Sequence, residues 1–276
     1  MRSDVETLRE IVAGFPDPAT PPTSDGLAER RPRRPLAALA SAPIEQAGPY
    51  SRDLRTSLER RSSTTDYGAE PIEAAALFAD IAAALDEDVA TWGEEAAVGS
   101  LEIFVLLLRP SGAEPGIYRI SAQAGGDDGA PHAVERLRPL PSPEEVEGMA
   151  VQKEFARAGA IISAAASLDE ADSWGGAHGY RFVMGRAAAL IYSLHLRSIA
   201  RGLAGTVFAG FSTSAVRHLL DSDGVSRHQM FAVTVASPQA PHDGARGPVL
   251  PDQPPHRALA GLLLHQPVHV KEVNSI

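Results

Sequence analysis

The sequence contains no cysteine and only two lysines, Lys153 and Lys271. The absence of cysteine excludes disulfides, thiolate nucleophiles, zinc ribbons and iron–sulfur clusters. Almost all of the 25 Lys and Arg residues are therefore arginine. A chain without cysteine suits a reducing compartment, so we expect the protein in the cytoplasm.

Long apolar runs are also missing. No stretch approaches the roughly 20 residues that span a bilayer, and the N-terminus, MRSDVETLRE, is too polar for a signal peptide. The net charge of −10 disfavours binding to nucleic acid or to an anionic membrane. The one basic run, Arg30, Arg31, Arg33 and Arg34, lies among prolines, and we expect it to be a solvated arm.

Proline divides the chain into two parts. Residues 1–48 are rich in Pro, Ala and Arg, and the prolines between Phe15 and Pro35 forbid regular structure, so we predict an N-terminal arm. We predict one ordered domain over residues 49–276. The glycine- and proline-rich stretch Gly125–Pro143 is interpreted as a connection.

Within this domain, short apolar runs predict buried strands and 3.6-residue patterns predict helices. The predicted strands are Leu101–Leu108, its hairpin partner Ile117–Ile120, Ala158–Ala166, Met230–Ala236 and Val268–Val273. The predicted helices are Ile72–Leu85 and Phe182–Arg201, the second ending at Gly202. Helices and strands do not alternate strictly, so we predict an α+β fold.

An arginine-rich turn, RRSSTTDY at residues 60–67, precedes the sequence EPI and the first of these helices. This turn resembles the opening of the flavin-dependent nitroreductase superfamily, where a guanidinium forks onto the FMN phosphate and a hydroxyl reaches the ribityl chain. The resemblance assigns cofactor binding to Arg61, Ser62, Ser63 and Thr65. The alternative is an ordinary basic turn on a solvated face.

Further motifs follow in the order that the family has, over roughly residues 55–238. They are LEIFV at 101–105, EPGIYR at 114–119, GYRF at 179–182, and GL then AGFS at 202–212. The first two resemble the family's peptide-azoline dehydrogenase branch. In the family, the Gly-Phe turn presents backbone N–H groups to the flavin ring, a role that the resemblance assigns to Ala209 and Gly210. The family also forms an intertwined dimer around its long central helix.

Several positions depart from this pattern. Thr65 stands where the family has Arg or Lys, and Gly93-Glu94-Glu95-Ala96 replaces a small-residue loop beside the flavin. Ser173-Trp174-Gly175-Gly176 replaces a Lys-Tyr pair that handles the proton. His178 is the titratable residue near that position, and its ordinary pKa suits acid–base catalysis. On the central helix, His195 is expected to be a hydrogen-bonded structural histidine, and no histidine shows metal-ligand spacing.

Two functions follow from the resemblance. The first is an FMN-dependent dehydrogenase that oxidises a peptide-derived azoline ring, as a homodimer or a heterodimer with a related subunit. The second is a scaffold subunit of the same fold that has lost flavin and binds a peptide or an active dehydrogenase. Besides these two, the resemblance leaves open a third function, a reductase of nitro compounds that uses NADPH.

Overall fold

A computed structural model describes residues 32–46, 48–93, 101–122 and 132–239 of the chain. The strands are β1 (Ala40–Pro43), β2 (Ile72–Glu73), β3 (Glu102–Leu107), β4 (Pro110–Ser111), β5 (Gly116–Ala122), β6 (His132–Pro139), β7 (Ala160–Ala166), β8 (Val207–Phe208) and β9 (His228–Val235). The helices are α1 (Leu54–Arg60), α2 (Ala74–Trp92), α3 (Pro143–Glu147), α4 (Leu168–Gly175), α5 (Ala177–Ala200) and α6 (Thr213–Leu220). A 3-10 turn spans Lys153–Arg157.

An antiparallel sheet of seven strands forms the centre, in the order β1-β6-β5-β3-β7-β9-β8. The predicted pairing of β3 with a hairpin partner is confirmed: Val105 lies opposite Tyr118 on β5, and opposite Ile162 on its other neighbour, β7. Because β3, β7 and β9 are covered on both sides, their sequences are nearly continuous apolar runs rather than alternating patterns. The predicted α+β class is confirmed.

The two faces of the sheet pack against different helices. On β3, Ile103 and Val105 face the core that α2 and α5 cover, whereas Phe104 and Leu106 face the core that α6 and the 3-10 turn cover. We call these the α5 face and the α6 face. Because successive side chains of a strand point to opposite faces, the sheet separates these two cores.

The central helix α5 begins at Ala177, five residues before the predicted start at Phe182. The added turn packs so closely on α4 that a Cβ built at Gly179 would lie 1.8 Å from the carbonyl oxygen of Ala171. A glycine there permits contact between the two helices, although it weakens the local helical pattern. The helix ends as predicted before Gly202, whose φ is +84°.

Two sequence interpretations require correction. The stretch Gly125–Pro143 is not only a connection, because its second half forms β6, which pairs with both β5 and β1. Within the segment assigned to the arm, Ala40–Pro43 forms an edge strand of the main sheet. Exposed alanines and a proline conceal this strand, since short edge strands carry little apolar signal.

The basic run is also not wholly solvated. Arg33 pairs with Glu170 at 3.2 Å and approaches Glu102 at 3.8 Å, and its side chain is 18% exposed. Carboxylates distant in sequence thus anchor this part of the predicted arm. Residues 1–31, the predicted strand Val268–Val273 and the loop residues Glu94–Ala96 lie outside the described residues. Across the described part of the chain, no helix has both the length and the apolarity to cross a membrane.

Candidate functional site

The arginine turn, residues 61–65, follows α1 directly. Asp53 caps the start of that helix by accepting from the backbone N–H of Thr56 at 2.7 Å, and the helix ends where Arg61 adopts an extended backbone. Serine and threonine favour such turns because their hydroxyls compete for backbone hydrogen bonds. The side chains of Arg61, Ser62 and Ser63 are exposed, so the structure leaves them available to a ligand.

Backbone hydrogen bonds join this turn to the segment that precedes β8. The N–H of Thr64 donates to the carbonyl of Gly205, and the hydroxyl of Thr206 donates to the carbonyl of Thr64 at 2.7 Å. A Cβ at Gly205 would lie 1.8 Å from the carbonyl oxygen of Thr234 on β9, so a glycine is required at this crossing. The arginine turn is therefore fixed to the edge of the main sheet.

The glycine turn, residues 209–212, follows β8. The N–H of Val151 donates to the carbonyl of Gly210, and the N–H of Ser212 donates to the carbonyl of Met149. Ala209 and Gly210 are exposed, and within the described residues their own N–H groups donate to no acceptor. Two free N–H groups on a fixed backbone can bind a group that carries negative charge.

The segment that contacts the arginine turn leads directly into the glycine turn. From Thr206, which contacts the arginine turn, the chain reaches Gly210 in four residues, a span of at most roughly 14 Å. The structure thus links the two turns, which are about 150 residues apart in sequence, through the segment Gly205–Phe208. Thr65 lies on the same turn, but its side chain offers a hydroxyl and no charge.

His195, which was expected to be a hydrogen-bonded histidine at an interface, has no hydrogen-bond partner among the described residues of its own chain. Its side chain is 1% exposed on α5, and neither ring nitrogen has a partner among them. Burial lowers the pKa of the imidazole below its ordinary value, and the nearby charge of Arg61 lowers it further. A neutral imidazole therefore lies beneath the arginine turn, a proximity that the sequence pattern did not indicate.

His178 lies elsewhere. It is exposed in the first turn of α5, where its ring centroid is 5.8 Å from that of Trp174. It precedes His195 by 17 residues on the same helix, which corresponds to roughly 25 Å along the axis. Since α5 covers one face of the sheet and Phe211 packs on the other, His178 is not beside the glycine turn of its own chain.

A polar pocket of about 320 Å³ adjoins the arginine turn on the side of Thr65. The hydroxyl of Tyr67 lies 2.9 Å from that of Thr234, and burial raises the Tyr67 pKa above its ordinary value. Two arginines, Arg109 and Arg157, complete the walls. No sequence motif indicated either arginine, because they come from segments that only the fold brings to this loop.

In the middle of α5, the side chains of Arg186 and Ile191 are buried. Arg186 forms a bidentate pair with Asp88 of α2, and the two side chains are 3% and 5% exposed. Ile191 is buried in the core of the α5 face. Among the described residues, no group of three or more His, Asp or Glu side chains could hold a metal ion.

No protein-family model matches the sequence, and no curated protein matches it. Solved structures do match. An Anabaena variabilis protein provisionally described as a nitroreductase shares 20% identity at a TM-score of 0.59, over 72% of this chain and 42% of that one. A chain of the E. coli microcin synthetase McbBCD complex, solved with truncated pro-MccB17 bound, shares 11% identity at a TM-score of 0.51, over 84% of this chain and 87% of that one.

These likenesses define the class of fold. The chain has the nitroreductase fold, and it spans less than half the length of the Anabaena protein. The matched chain of the microcin synthetase McbBCD complex shares this fold.

Proposed function

We propose that the protein is an FMN-dependent oxidoreductase. In this proposal the arginine turn holds the phosphate end of the cofactor, and the glycine turn contacts its ring. The observation that carries it is the direct hydrogen bonding of Thr64 to Gly205 and Thr206, which joins the arginine turn to the segment that leads through β8 into the glycine turn. Bound FMN would supply the hydride acceptor, which no side chain of this protein can replace.

The residues present fit the group at both ends. Arg61 is exposed and, within the described residues, pairs with no carboxylate, so its guanidinium can fork onto a phosphate. The unbonded N–H groups of Ala209 and Gly210 suit a ring edge on which negative charge develops. Thr65 offers a hydroxyl to the cofactor but no positive charge.

Flavin binding is tested with the full chain. Purified protein is mixed with FMN, dialysed and examined for flavin absorption, and the dissociation constant is measured by calorimetry. We expect a yellow protein that binds FMN more tightly than riboflavin, because Arg61 contacts the phosphate, which riboflavin does not have. A colourless protein that does not bind added FMN contradicts the proposal.

For the substrate, we propose a peptide that carries a thiazoline or oxazoline ring, which the protein oxidises. The microcin synthetase match supports a peptide, since that complex was solved with one bound. Anaerobic addition of a thiazoline peptide should bleach the flavin absorption, whereas the matching thiazole peptide should not. Bleaching by NADPH with no response to either peptide would instead indicate a nitro-compound reductase.

His178 is the proposed proton carrier, and the geometry then requires a second subunit. Within one chain His178 lies at the far end of α5 from the arginine turn. A dimer built around α5 would bring the His178 of one subunit toward the site of the other. In a homodimer the second subunit is another copy of this chain, and in a heterodimer it is a related chain.

A flavin-free scaffold is the second candidate, and one observation favours it. Arg186 and Asp88 occupy the central helix region with a closed, buried ion pair that offers no group to a cofactor. In that case the protein would bind a peptide or an active dehydrogenase subunit. Peptide binding by colourless protein would support this candidate.

A further inference from the structure

The pocket beside Thr65 contains more positive charge than its surroundings neutralise. Arg109, which follows β3, donates from Nη2 to the carbonyls of Gly68 at 2.8 Å and Arg157 at 2.6 Å. Its Nε is buried and bonded to nothing among the described residues, and no carboxylate of that set pairs with it. A buried cationic donor without an acceptor is costly unless a ligand supplies one.

Arg157 is the second cation. It ends the 3-10 turn, its side chain is exposed, and within the described ranges it makes no hydrogen bond or ion pair through its guanidinium. Its charge lies near enough to Tyr67 to act on that hydroxyl. The fork of Arg157 is therefore available, while its backbone carbonyl positions Arg109.

Negative charge near the pocket is limited. Asp66 is in the wall, but it forms no ion pair with either arginine, and Glu154 on the 3-10 turn acts on Tyr67 from outside the wall. Among the described residues of the wall, two guanidinium groups thus share the pocket with one carboxylate. At about 320 Å³, the space admits a small oxyanion with its hydration water rather than a large ligand.

We propose that Arg157 and Arg109 bind an oxyanion, a phosphate or carboxylate group, in the pocket beside Thr65. Arg157 supplies the fork, and Arg109 adds a second positive charge in the wall. This inference rests in part on the proposed function, because Thr65 is the position where a cation would otherwise stand. Arg157 then provides, from a different segment, the positive charge that the arginine turn lacks.

The oxyanion has two possible sources, the phosphate of FMN or an anionic group of the substrate. The probe that both share is inorganic phosphate, measured by calorimetry on the full chain at constant ionic strength. FMN and riboflavin are then titrated with and without phosphate. Competition between phosphate and FMN, but not riboflavin, identifies the cofactor phosphate; independent binding identifies a separate anionic group.

Arg157→Ala is the informative variant, since its guanidinium makes no hydrogen bond or ion pair with the described residues and the change should leave the melting temperature unchanged. We expect it to weaken phosphate binding by about tenfold, whereas Arg157→Lys, which keeps the charge and loses the fork, should give an intermediate loss. Arg55→Ala is the control, because this substitution removes the same charge from a side chain that is 89% exposed and does not line the pocket. It should change binding by less than about twofold.

These measurements test the oxyanion pocket and the flavin function separately. Protein that binds phosphate through Arg157 but never binds FMN supports the oxyanion pocket and contradicts the flavin function. Protein that binds FMN but no phosphate, or loses equal affinity in Arg157→Ala and Arg55→Ala, overturns the oxyanion pocket and leaves the flavin function standing.

Discussion

Arg60 and Arg61 are neighbours in sequence but differ in their backbone. Arg60 is the last residue of α1, whereas Arg61 has left the helix, and its charge acts on His195. Because the backbone changes conformation between the two residues, we expect only one of the two side chains, that of Arg61, to contact a phosphate at the arginine turn.

We predict that Arg61→Ala weakens FMN binding by on the order of 2–3 kcal/mol, because a charge-assisted bidentate contact is lost. Arg60→Ala removes the same charge and should have a much smaller effect. Calorimetric titration of both variants with FMN is the measurement. Equal losses would show that the assignment of the phosphate to Arg61 is wrong.

His195 makes the stability of the protein depend on pH. Its pKa is lowered in the folded chain, so above the unfolded value of about 6.5 both states are neutral and stability is complete. As the pH falls below that value, the unfolded chain takes up a proton that the folded chain resists, and stability declines through the lowered folded pKa.

The test compares the urea unfolding of wild type and His195→Leu between about pH 7.5 and about pH 5. Wild type should lose more stability over this range than His195→Leu, since leucine is apolar and cannot take up the proton. Parallel pH curves for the two proteins would mean that His195 does not titrate as described.

His178 is predicted to act on turnover and not on binding. If the protein is a dehydrogenase, His178→Ala should lower turnover by about 10²–10⁴-fold, which is the usual contribution of a general acid or base. Bound flavin should be unchanged, because the proposed role of His178 is to move a proton and not to hold the cofactor. A variant as fast as wild type would remove His178 from the mechanism.

At the scale of elements, one ion pair ties α2 to α5. Arg186 and Asp88 are buried between the two helices, with three hydrogen bonds between 2.5 and 3.0 Å. Removing one partner leaves the other buried and unpaired, whereas replacing both by apolar residues removes the desolvation cost as well.

We predict that Asp88→Leu alone destabilises the protein by roughly 3–5 kcal/mol, and that adding Arg186→Met recovers much of this loss. Urea unfolding of wild type, both single variants and the double variant gives the coupling energy. Additive losses would mean that the two side chains do not stabilise one another.

At the scale of the whole molecule, exposed apolar side chains mark an association surface. Leu54 and Leu58 are 64% and 48% exposed on α1, and Tyr192 is 41% exposed on α5, the helix on which α1 packs. Large apolar side chains grouped on packed helices are typical of a protein interface.

We predict an obligatory dimer in which this surface is covered. Leu54→Asp should shift the protein toward monomer in sedimentation velocity experiments, because a charge cannot be desolvated there without cost. Leu39→Asp is the matched control, since Leu39 is also 64% exposed but lies next to β1. A stable folded wild-type monomer at micromolar concentration would contradict the prediction.

The sequence by itself determined the buried part of this fold. The strands β3, β7 and β9 and the helices α2 and α5 could be predicted because deep burial imposes continuous or periodic apolar residues. The edge strand β1 and its neighbour β6 could not, since exposed strands are held by backbone pairing, which leaves little trace in residue type.

For the candidate site, local motifs predicted Arg61, Ser63, Ala209 and Gly210, because turns need particular residues over a few positions. Tertiary structure alone decided the rest. It placed Arg157 and Arg109 beside Thr65, and it buried His195 beneath Arg61. Such contacts join segments far apart in the chain, and a long-range contact depends on geometry that no local pattern of residues encodes.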